Sequence, residues 1–266
     1  MSPAELWRKV ESLSAHAAAA GALHRIDTEP RLVEDSGVEF VVRKATNLAR
    51  KPSGGKPAPV DPFADPDPDL FVADLSSTHF ALLNKYNVLD HALLVVTREN
   101  IDQGVPLDLA DFEALAQCMG DAPVLGFYNG GGEAGASQPH KHLQVVPLPI
   151  SPAREIPVES LFLHGLPRLP LRCSSARAGR EPRQLLEAYR SIRDEMGLTH
   201  QPYNLLVARD WMLIVARSRP TFETIPVNAL AFAGAMFVRT DAELALVERL
   251  GPMAILKGVS LPKDSS

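Results

Sequence analysis

The sequence is short of cysteine and of basic residues. It contains two cysteines, Cys118 and Cys173, in 266 residues, and these are too few and too far apart for a disulfide framework or a zinc ribbon. Its 27 lysines and arginines are outnumbered by 32 aspartates and glutamates, for a formal net charge of −5. Dedicated nucleic-acid-binding proteins carry basic surfaces. We therefore predict a protein of the reducing cytoplasm that has no nucleic-acid partner.

The sequence also lacks a long apolar run. No stretch approaches the ~20 residues that a membrane-spanning helix needs. The alanines at 17–20 resemble part of a signal peptide, but His16 interrupts the apolar stretch. Ser2-Pro3-Ala4-Glu5 is instead typical of a capping box that begins an amphipathic helix. We expect no association with a membrane.

Hydrophobic residues make up 45% of the chain, which is enough to bury a full core. Apolar segments typical of strands lie at 37–43, 80–83, 91–97, 124–129, 140–146, 203–207 and 211–215, with a further apolar segment at 229–238. Helices are predicted at 108–120, 183–197 and 241–250. Several consecutive strands are joined by short turns. This arrangement favours an α+β fold with a mixed, mostly antiparallel sheet and flanking helices.

We interpret residues 1–266 as a single domain built from two halves. The segments at 203–207 and 211–215 repeat the pattern of those around Asn84 and His91, which indicates an internal duplication. On this interpretation residues 1–150 carry the distinctive motif and residues 151–266 are a degenerate second half. Six prolines between residues 51 and 69 predict a long surface loop in the first half.

The residues that suggest chemistry lie between Asn129 and Gln144. Alternate side chains of a strand share a face, so His140, His142 and Gln144 are predicted to point the same way. Lys141 is predicted to point away from them. The preceding loop contains four glycines between 130 and 135, and glycine lets backbone N–H groups approach an anion closely.

Three interpretations fit this segment. The two histidines form a hydrogen-bonded structural pair, or they bind zinc, as His-x-His on a strand can. A zinc site needs a third ligand, and Cys118, Cys173 and His164 show no linked spacing. The third interpretation is phosphorus chemistry, with a neutral imidazole as nucleophile, the glycine loop as phosphate cradle and an amide beside it.

The stretch Gly-Ala-Ser-Gln-Pro-His-Lys-His-Leu-Gln, which ends at Gln144, resembles the diadenosine tetraphosphate (Ap4A) phosphorylases, or ATP adenylyltransferases. That family belongs to the histidine-triad superfamily, on the branch related to galactose-1-phosphate uridylyltransferase. The segments 82–86, 91–97, 203–206 and 211–218 are similar to the family in the same order. One departure is Ala216, which stands where proline is usual. The resemblance spans roughly residues 37–240 and implies a histidine-triad-like fold.

The resemblance implies a role for each matching residue. His142 would be the nucleophile that attacks the α-phosphorus and forms an AMP-histidine intermediate. Its other ring nitrogen would donate to a nearby backbone carbonyl, His140 would organise the site, and Gln144 would bond the transferred phosphoryl group. The positions that match substrate-binding residues of the family are Lys51, Asn84, Lys85, Asn129, Gly135, Ala136, Ser137, Gln138, Asn228, Ala229, Leu230 and Arg239.

The implied function is that of a nucleotidyltransferase which phosphorolyses Ap4A to ADP and ATP. Its partners would be small nucleotides and phosphate, and the chain would be a monomer or a small homo-oligomer. No tightly bound cofactor is expected, because Mg²⁺ would arrive with the polyphosphate. The alternatives are a transferase for another nucleoside monophosphate, a dinucleoside polyphosphate hydrolase and a non-catalytic nucleotide-binding protein.

Overall fold

The computed structural model describes residues 1–47, 61–159, 161 and 171–263. The strands are β1 (Thr28–Asp35), β2 (Val38–Ala45), β3 (Phe71–Asp74), β4 (His79–Leu83), β5 (Leu93–Thr97), β6 (Val124–Gly130), β7 (His142–Pro147), β8 (Cys173–Arg177), β9 (Tyr203–Val207), β10 (Trp211–Ala216), β11 (Thr221–Phe222), β12 (Ile225–Pro226) and β13 (Ala235–Val238). The helices are α1 (Pro3–Ala20), α2 (Leu109–Met119), α3 (Pro182–Glu195), α4 (Ala229–Phe232), α5 (Asp241–Leu250) and α6 (Pro252–Val259), and 3-10 turns cover Pro68–Leu70 and Gly132–Ala134. Among the described residues, no helix is long and apolar enough to cross a membrane.

Local sequence signals explain where the first two helices begin. Ser2 and Glu5 form the predicted capping box of α1, because each side chain accepts a hydrogen bond from the other residue's backbone N–H. Asp108 and Asp111 form the same reciprocal pair at the start of α2. Both helices end at a glycine, as predicted for α2.

The centre of the fold is an eight-stranded sheet in the order β3-β4-β5-β7-β6-β9-β10-β8. Every neighbouring pair in it is antiparallel. A three-stranded sheet, β1-β2-β13, contains a parallel pair between β2 and β13. The predicted α+β class with a mostly antiparallel sheet is therefore confirmed. The internal duplication remains a prediction.

The large sheet carries a separate hydrophobic core on each face. On one face, Leu143 and Val145 of β7 belong to a core with residues of α1, α2 and α3. On the other face, Val146 of β7 belongs to a core with residues of β2, β13, α5 and α6. Because side chains alternate along a strand, His142 and Gln144 lie on the second face.

Some predicted elements are corrected by the structure. The strand predicted at 37–43 is β2, the second strand of the chain. It is preceded by β1, an edge strand that was not predicted because its mostly exposed side chains give no apolar signal. The apolar segment 229–238 divides into α4 and β13. The region 147–180, for which no element was predicted, contains strand β8 at a half-buried edge of the large sheet. Helix α6 follows α5, which was predicted to be the terminal helix. The strand predicted from His91 begins at Leu93, because His91 adopts a left-handed φ of 58°.

Candidate active site

His142 is the first residue of β7, and only 4% of its surface is exposed. Its Nδ1 lies 2.8 Å from the backbone carbonyl oxygen of His140. A carbonyl oxygen can only accept a hydrogen bond, so Nδ1 carries the ring proton in this contact. The other ring nitrogen, Nε2, is therefore the unprotonated one in the neutral ring. That nitrogen has a lone pair available for nucleophilic attack.

Burial keeps the His142 imidazole neutral. Removal from water lowers the pKa of His142 below its ordinary value of 6.5, and the positive charge that His140 can carry lowers it further. The hydrogen bond to the His140 carbonyl acts in the opposite direction but does not reverse the shift. At pH 7 the ring is in the form that a nucleophile requires.

His140 is buried beside His142 and uses both of its ring nitrogens in hydrogen bonds. Its Nε2 lies 2.8 Å from the carbonyl oxygen of Thr97, and its Nδ1 lies 2.9 Å from a carboxylate oxygen of Asp61. The ring of Phe63 packs against both histidines, with centroid distances of 5.5 Å to His140 and 5.3 Å to His142. The pair does not present two free nitrogens to a common metal ion.

Asp61 and Phe63 lie at the end of the proline-rich stretch that sequence analysis interpreted as a surface loop. Asp61 also accepts a hydrogen bond from the side chain of Asn100, and Phe63 is 8% exposed. This end of the stretch is therefore packed against His140 and His142. Composition gave no signal for these contacts, because proline and aspartate are typical of exposed loops.

Lys141 points to the helical face of the sheet, as strand alternation predicted. Its Nζ lies 2.7 Å from Asp111 of α2, and His79 of β4 lies 3.1 Å from the other oxygen of that carboxylate. Burial tends to raise the pKa of Asp111, but the hydrogen bond from His79 and the charge of Lys141 outweigh burial and lower it. Asp111 is thus a buried carboxylate held in its ionised form.

A chain of amide groups fixes the orientation of Asn129 at the end of β6. Arg217 can only donate, so the oxygen of the Asn204 side chain must face it. The Asn204 amide nitrogen then donates to Asn129 Oδ1 at 2.8 Å, and the backbone N–H of Ala229 donates to the same oxygen at 2.8 Å. The NH₂ group of Asn129 consequently points away from Asn204 and Ala229. No hydrogen bond from it is found among the described residues.

Arg217 is 1% exposed and was not singled out by sequence analysis. Burial lowers its pKa to about 9. Within the described part of the chain, its guanidinium forms no ion pair with a carboxylate. Its donors reach neutral oxygens, which are the carbonyl groups of Ala134, Arg219, Val227 and Val259 and the side chain of Asn204. Because Ala134 belongs to the glycine-rich loop, this unpaired positive charge lies directly beneath that loop.

The glycine-rich loop needs glycine for both conformation and space. Gly135 has a left-handed φ of 88°, and a Cβ atom built on it would lie 2.4 Å from the carbonyl oxygen of Val227. The loop therefore packs closely on the chain just before Asn228. The backbone N–H groups of Ser137 and Gln138, which follow, have no hydrogen-bond partner among the described residues. These two donors are therefore available to a ligand such as an anion.

A cavity of about 170 Å³ opens beside Gln144. Four of the predicted site residues line it, which are Asn84, Gln144, Asn228 and Leu230. Its wall also includes Arg43 of β2 and the half-exposed ring of Tyr86. A larger cavity of about 400 Å³ lies at the far ends of β6, β9 and β10 and contains none of the predicted residues. The described residues contain no group of three or more His, Cys, Asp or Glu side chains arranged to hold a metal ion.

Comparisons with known proteins match both parts of the chain to one family. Residues 1–164 match the Ap4A phosphorylase N-terminal domain, and residues 160–262 match the ATP adenylyltransferase C-terminal domain. The chain belongs to the Ap4A phosphorylase family. The diadenosine tetraphosphate phosphorylase 2 of Saccharomyces cerevisiae is 26% identical to it over 90% of this chain and 89% of its own. Protein APA1 of the same yeast is 24% identical, with 83% of each chain covered.

The fold agrees with a solved member of the Ap4A phosphorylase family. The crystal structure of yeast Ap4A phosphorylase Apa2 in complex with Ap4A matches this structure with a TM-score of 0.83 over 98% of both chains, at 24% identity. The structure of Apa2 in complex with AMP matches with a TM-score of 0.81 over the same share of each chain, at 22% identity.

Four of the residues inferred from the resemblance to Ap4A phosphorylases line the cavity, whereas His140, His142, Asn129 and the loop residues 135–138 lie outside its wall. Ala229 is buried and holds Asn129 through its backbone, so its side chain does not line the cavity. Lys85 is half-buried, and Arg239 is exposed beyond β13; neither lines the cavity. Lys51 lies outside the described residues. The roles of all the predicted site residues, these four included, stay predictions.

Proposed function

We propose that this protein cleaves Ap4A with inorganic phosphate into ADP and ATP through AMP bound covalently to Nε2 of His142. The observation that carries the proposal is the buried, neutral imidazole whose Nδ1 proton is bonded to the His140 carbonyl. Membership of the Ap4A phosphorylase family supports the choice of substrate.

In the first step, Nε2 of His142 attacks the α-phosphorus of one adenosine. A P–N bond forms and the bond from that phosphorus to the bridging oxygen breaks, so ATP leaves. The ring then carries a positive charge, because Nδ1 keeps its proton. The hydrogen bond from Nδ1 to the His140 carbonyl becomes charge-assisted and stabilises the intermediate.

In the second step, an oxygen of inorganic phosphate attacks the same phosphorus. The P–N bond breaks, ADP is formed and His142 returns to its neutral state. Gln144 lies on the same strand face as His142, and its amide cannot exchange a proton at neutral pH. An acceptor that arrives already ionised is therefore favoured over water.

The phosphate groups would be held by the glycine-rich loop and the residues around it. The N–H groups of Ser137 and Gln138, the NH₂ group of Asn129 and the charge of Arg217 can all stabilise an anion there. The nucleoside would enter the cavity beside Gln144, between Asn84 and Asn228. Mg²⁺ would come with the polyphosphate and neutralise part of its charge.

Mass spectrometry tests the intermediate directly. Incubation with Ap4A in the absence of phosphate is expected to add one AMP to the peptide that contains His142, with release of ATP. Addition of phosphate should then discharge the label as ADP. An unlabelled protein that binds Ap4A would instead be a non-catalytic nucleotide-binding protein.

Product analysis tests the choice of acceptor. With Ap4A and phosphate, ion-exchange chromatography should show ADP and ATP with little AMP. The Gln144→His variant should slow phosphorolysis and shift products toward AMP, because imidazole can help to activate water. If the parent releases AMP and ATP equally fast without phosphate, the protein is a hydrolase.

A further inference from the structure

The ladder between β6 and β7 stops just before the nucleophile. The last pair joins Phe127 to Gln144, and continuation in the same register would place Asn129 opposite His142. No such pair forms, although β6 continues to pair with β9 as far as Gly130 and β7 still pairs with β5 at His142. The two central strands therefore separate at the site.

The side chain of Gln103 fills this gap. Its Oε1 accepts a hydrogen bond from the backbone N–H of His142 at 2.8 Å. Its Nε2 donates to the carbonyl oxygens of Asn129 at 2.9 Å and His142 at 3.1 Å. The Gln103 amide thus bonds both strands in the place of the missing ladder contacts.

Gln103 is itself held firmly in this position. It is 2% exposed, and its backbone N–H donates to the carbonyl oxygen of Pro139 at 2.7 Å. The hydroxyl group of Tyr128 donates to the Gln103 carbonyl. The backbone of the neighbouring Asp102 forms an isolated antiparallel β-bridge with the backbone of His140. The amide therefore has a fixed geometry from which to orient the main chain of His142.

We propose that Gln103 is a positioning residue for the nucleophile. The His142 ring is oriented by the carbonyl oxygen of His140, two residues earlier, so its direction depends on the main-chain conformation between these residues. Gln103 fixes that conformation by bonding both polar groups of the His142 backbone. The task requires a primary amide, since it needs one acceptor and two donors. This inference rests on the proposed covalent role of His142.

The first experiment observes the ring without any substrate. In the ligand-free parent at pH 7.5, ¹⁵N NMR of the histidine rings should show His142 in a single neutral form with the proton on Nδ1. Gln103→Met keeps the volume but removes every amide hydrogen bond, and should give a mixture of the two neutral forms. Gln117→Glu, on the half-exposed side of α2, is the control for a glutamine change elsewhere and should leave the spectrum as in the parent.

The second experiment measures catalysis in the same variants. Gln103→Met should lower the rate of AMP transfer to His142 by roughly 10–100-fold while KM for Ap4A stays within about threefold, because misorientation affects the reacting atom more than binding. Thermal unfolding of each variant establishes that the measured protein is folded. A rate equal to that of the parent, or a loss confined to KM, would overturn the proposal.

Gln103→Glu provides a rescue that depends on protonation. The ionised carboxylate cannot donate to the two carbonyl oxygens, but the protonated acid donates one bond and accepts another. Burial raises the pKa of such a carboxyl group. The transfer rate of Gln103→Glu relative to the parent should therefore rise as the pH falls from 8 to 6.5, whereas that of Gln117→Glu should not. A ratio of Gln103→Glu rate to parent rate that stays constant across this pH range contradicts the proposal. The NMR experiment uses no substrate, so its result is decisive even if Ap4A is not the substrate.

Discussion

The two faces of the sheet at the start of β7 carry buried polar groups of different kinds. On the helical face, Lys141, Asp111 and His79 form a cluster in which positive and negative charges compensate each other. On the other face, His140 and His142 are bonded largely to backbone carbonyl oxygens, and Nε2 of His142 is left without a proton. The ionisable groups lie equally deep in both places, since all five are 4% exposed or less.

This difference occurs within three consecutive residues, because Lys141 belongs to the compensated charge cluster and His140 and His142 do not. A cluster in which each charge has a partner of opposite sign needs no ligand. This cluster fixes α2 and β4 against the start of β7. A face that keeps a lone pair unused can react with a ligand. Alternation along the strand lets Lys141 anchor the chain while His142 on the other side keeps an unprotonated ring nitrogen. Each of the following changes tests one side of this comparison.

The largest effect is expected from His142→Ala. Removal of the nucleophile should abolish turnover, a loss of at least about 10⁴-fold, while binding of Ap4A stays within about tenfold. Measurements are the rate of ADP and ATP formation and the Kd for Ap4A by calorimetry. His200→Ala, which alters an exposed histidine, is the matched control. Retained turnover in His142→Ala would rule out the covalent mechanism.

Lys141→Met should act mainly on stability. It leaves the buried Asp111 carboxylate without its lysine, which costs about 3–5 kcal/mol in the free energy of unfolding. Urea denaturation measures this loss. Lys44→Met, which breaks an ion pair with the exposed Asp241, should cause a much smaller change. An equal loss in the two variants would show that the Lys141 cluster is not a buried anchor.

Asn204→Asp should turn the Asn129 amide around. Aspartate still accepts from Arg217 but cannot donate to Asn129 Oδ1, so repulsion between the two oxygens would rotate the Asn129 NH₂ group toward it, with loss of the hydrogen bond from the Ala229 N–H. Loss of that donor from the phosphate site should lower kcat/KM by roughly 10–100-fold. The melting temperature should fall less than in Asn204→Ala, because Arg217 gains a carboxylate. Unchanged kinetics in Asn204→Asp would exclude the Asn129 amide from substrate binding.

The smallest effect is expected from a change of pH. The pKa of His142 in the folded protein lies below 6.5, so its ring takes up a proton only below that pH. The rate of AMP transfer should be level from pH 8 to 6.5 and fall at lower pH. The unfolded chain binds this proton more readily, so stability should also decrease below about pH 6.5. Stopped-flow labelling at each pH measures the rate, and a midpoint at or above 6.5 would contradict the buried neutral ring.

Sequence reasoning worked where local physics decides the structure. The capping residues of α1 and α2 determine the starts of those helices, and apolar runs mark the interior strands β5, β6, β9 and β10. The opposite directions of Lys141 and His142 follow from strand alternation alone. Edge strands such as β1 and β8 were missed, because a half-exposed strand has no distinct apolar pattern.

The unpredicted part of the site depends on contacts between distant segments. Gln103 stands in the unremarkable sequence Ile-Asp-Gln-Gly, and Arg217 resembles any arginine after a strand. Their importance arises from burial and from the oxygens that the fold brings to them. Asp61 likewise reaches His140 from 79 residues away. A single sequence contains no local signal for such contacts.

The pairing of β6 with β9 has a consequence for the integrity of the enzyme. Asn129 stands opposite Asn204 across this pair, so the seam between residues 1–150 and residues 151–266 passes through the candidate site. His142 comes from one side of the seam, and Arg217 and Asn228 come from the other. A polypeptide of residues 1–150 alone would lack Arg217 and Asn228, and one of residues 151–266 alone would lack His142. A version divided into two polypeptides would be active only through fragment complementation along these two strands.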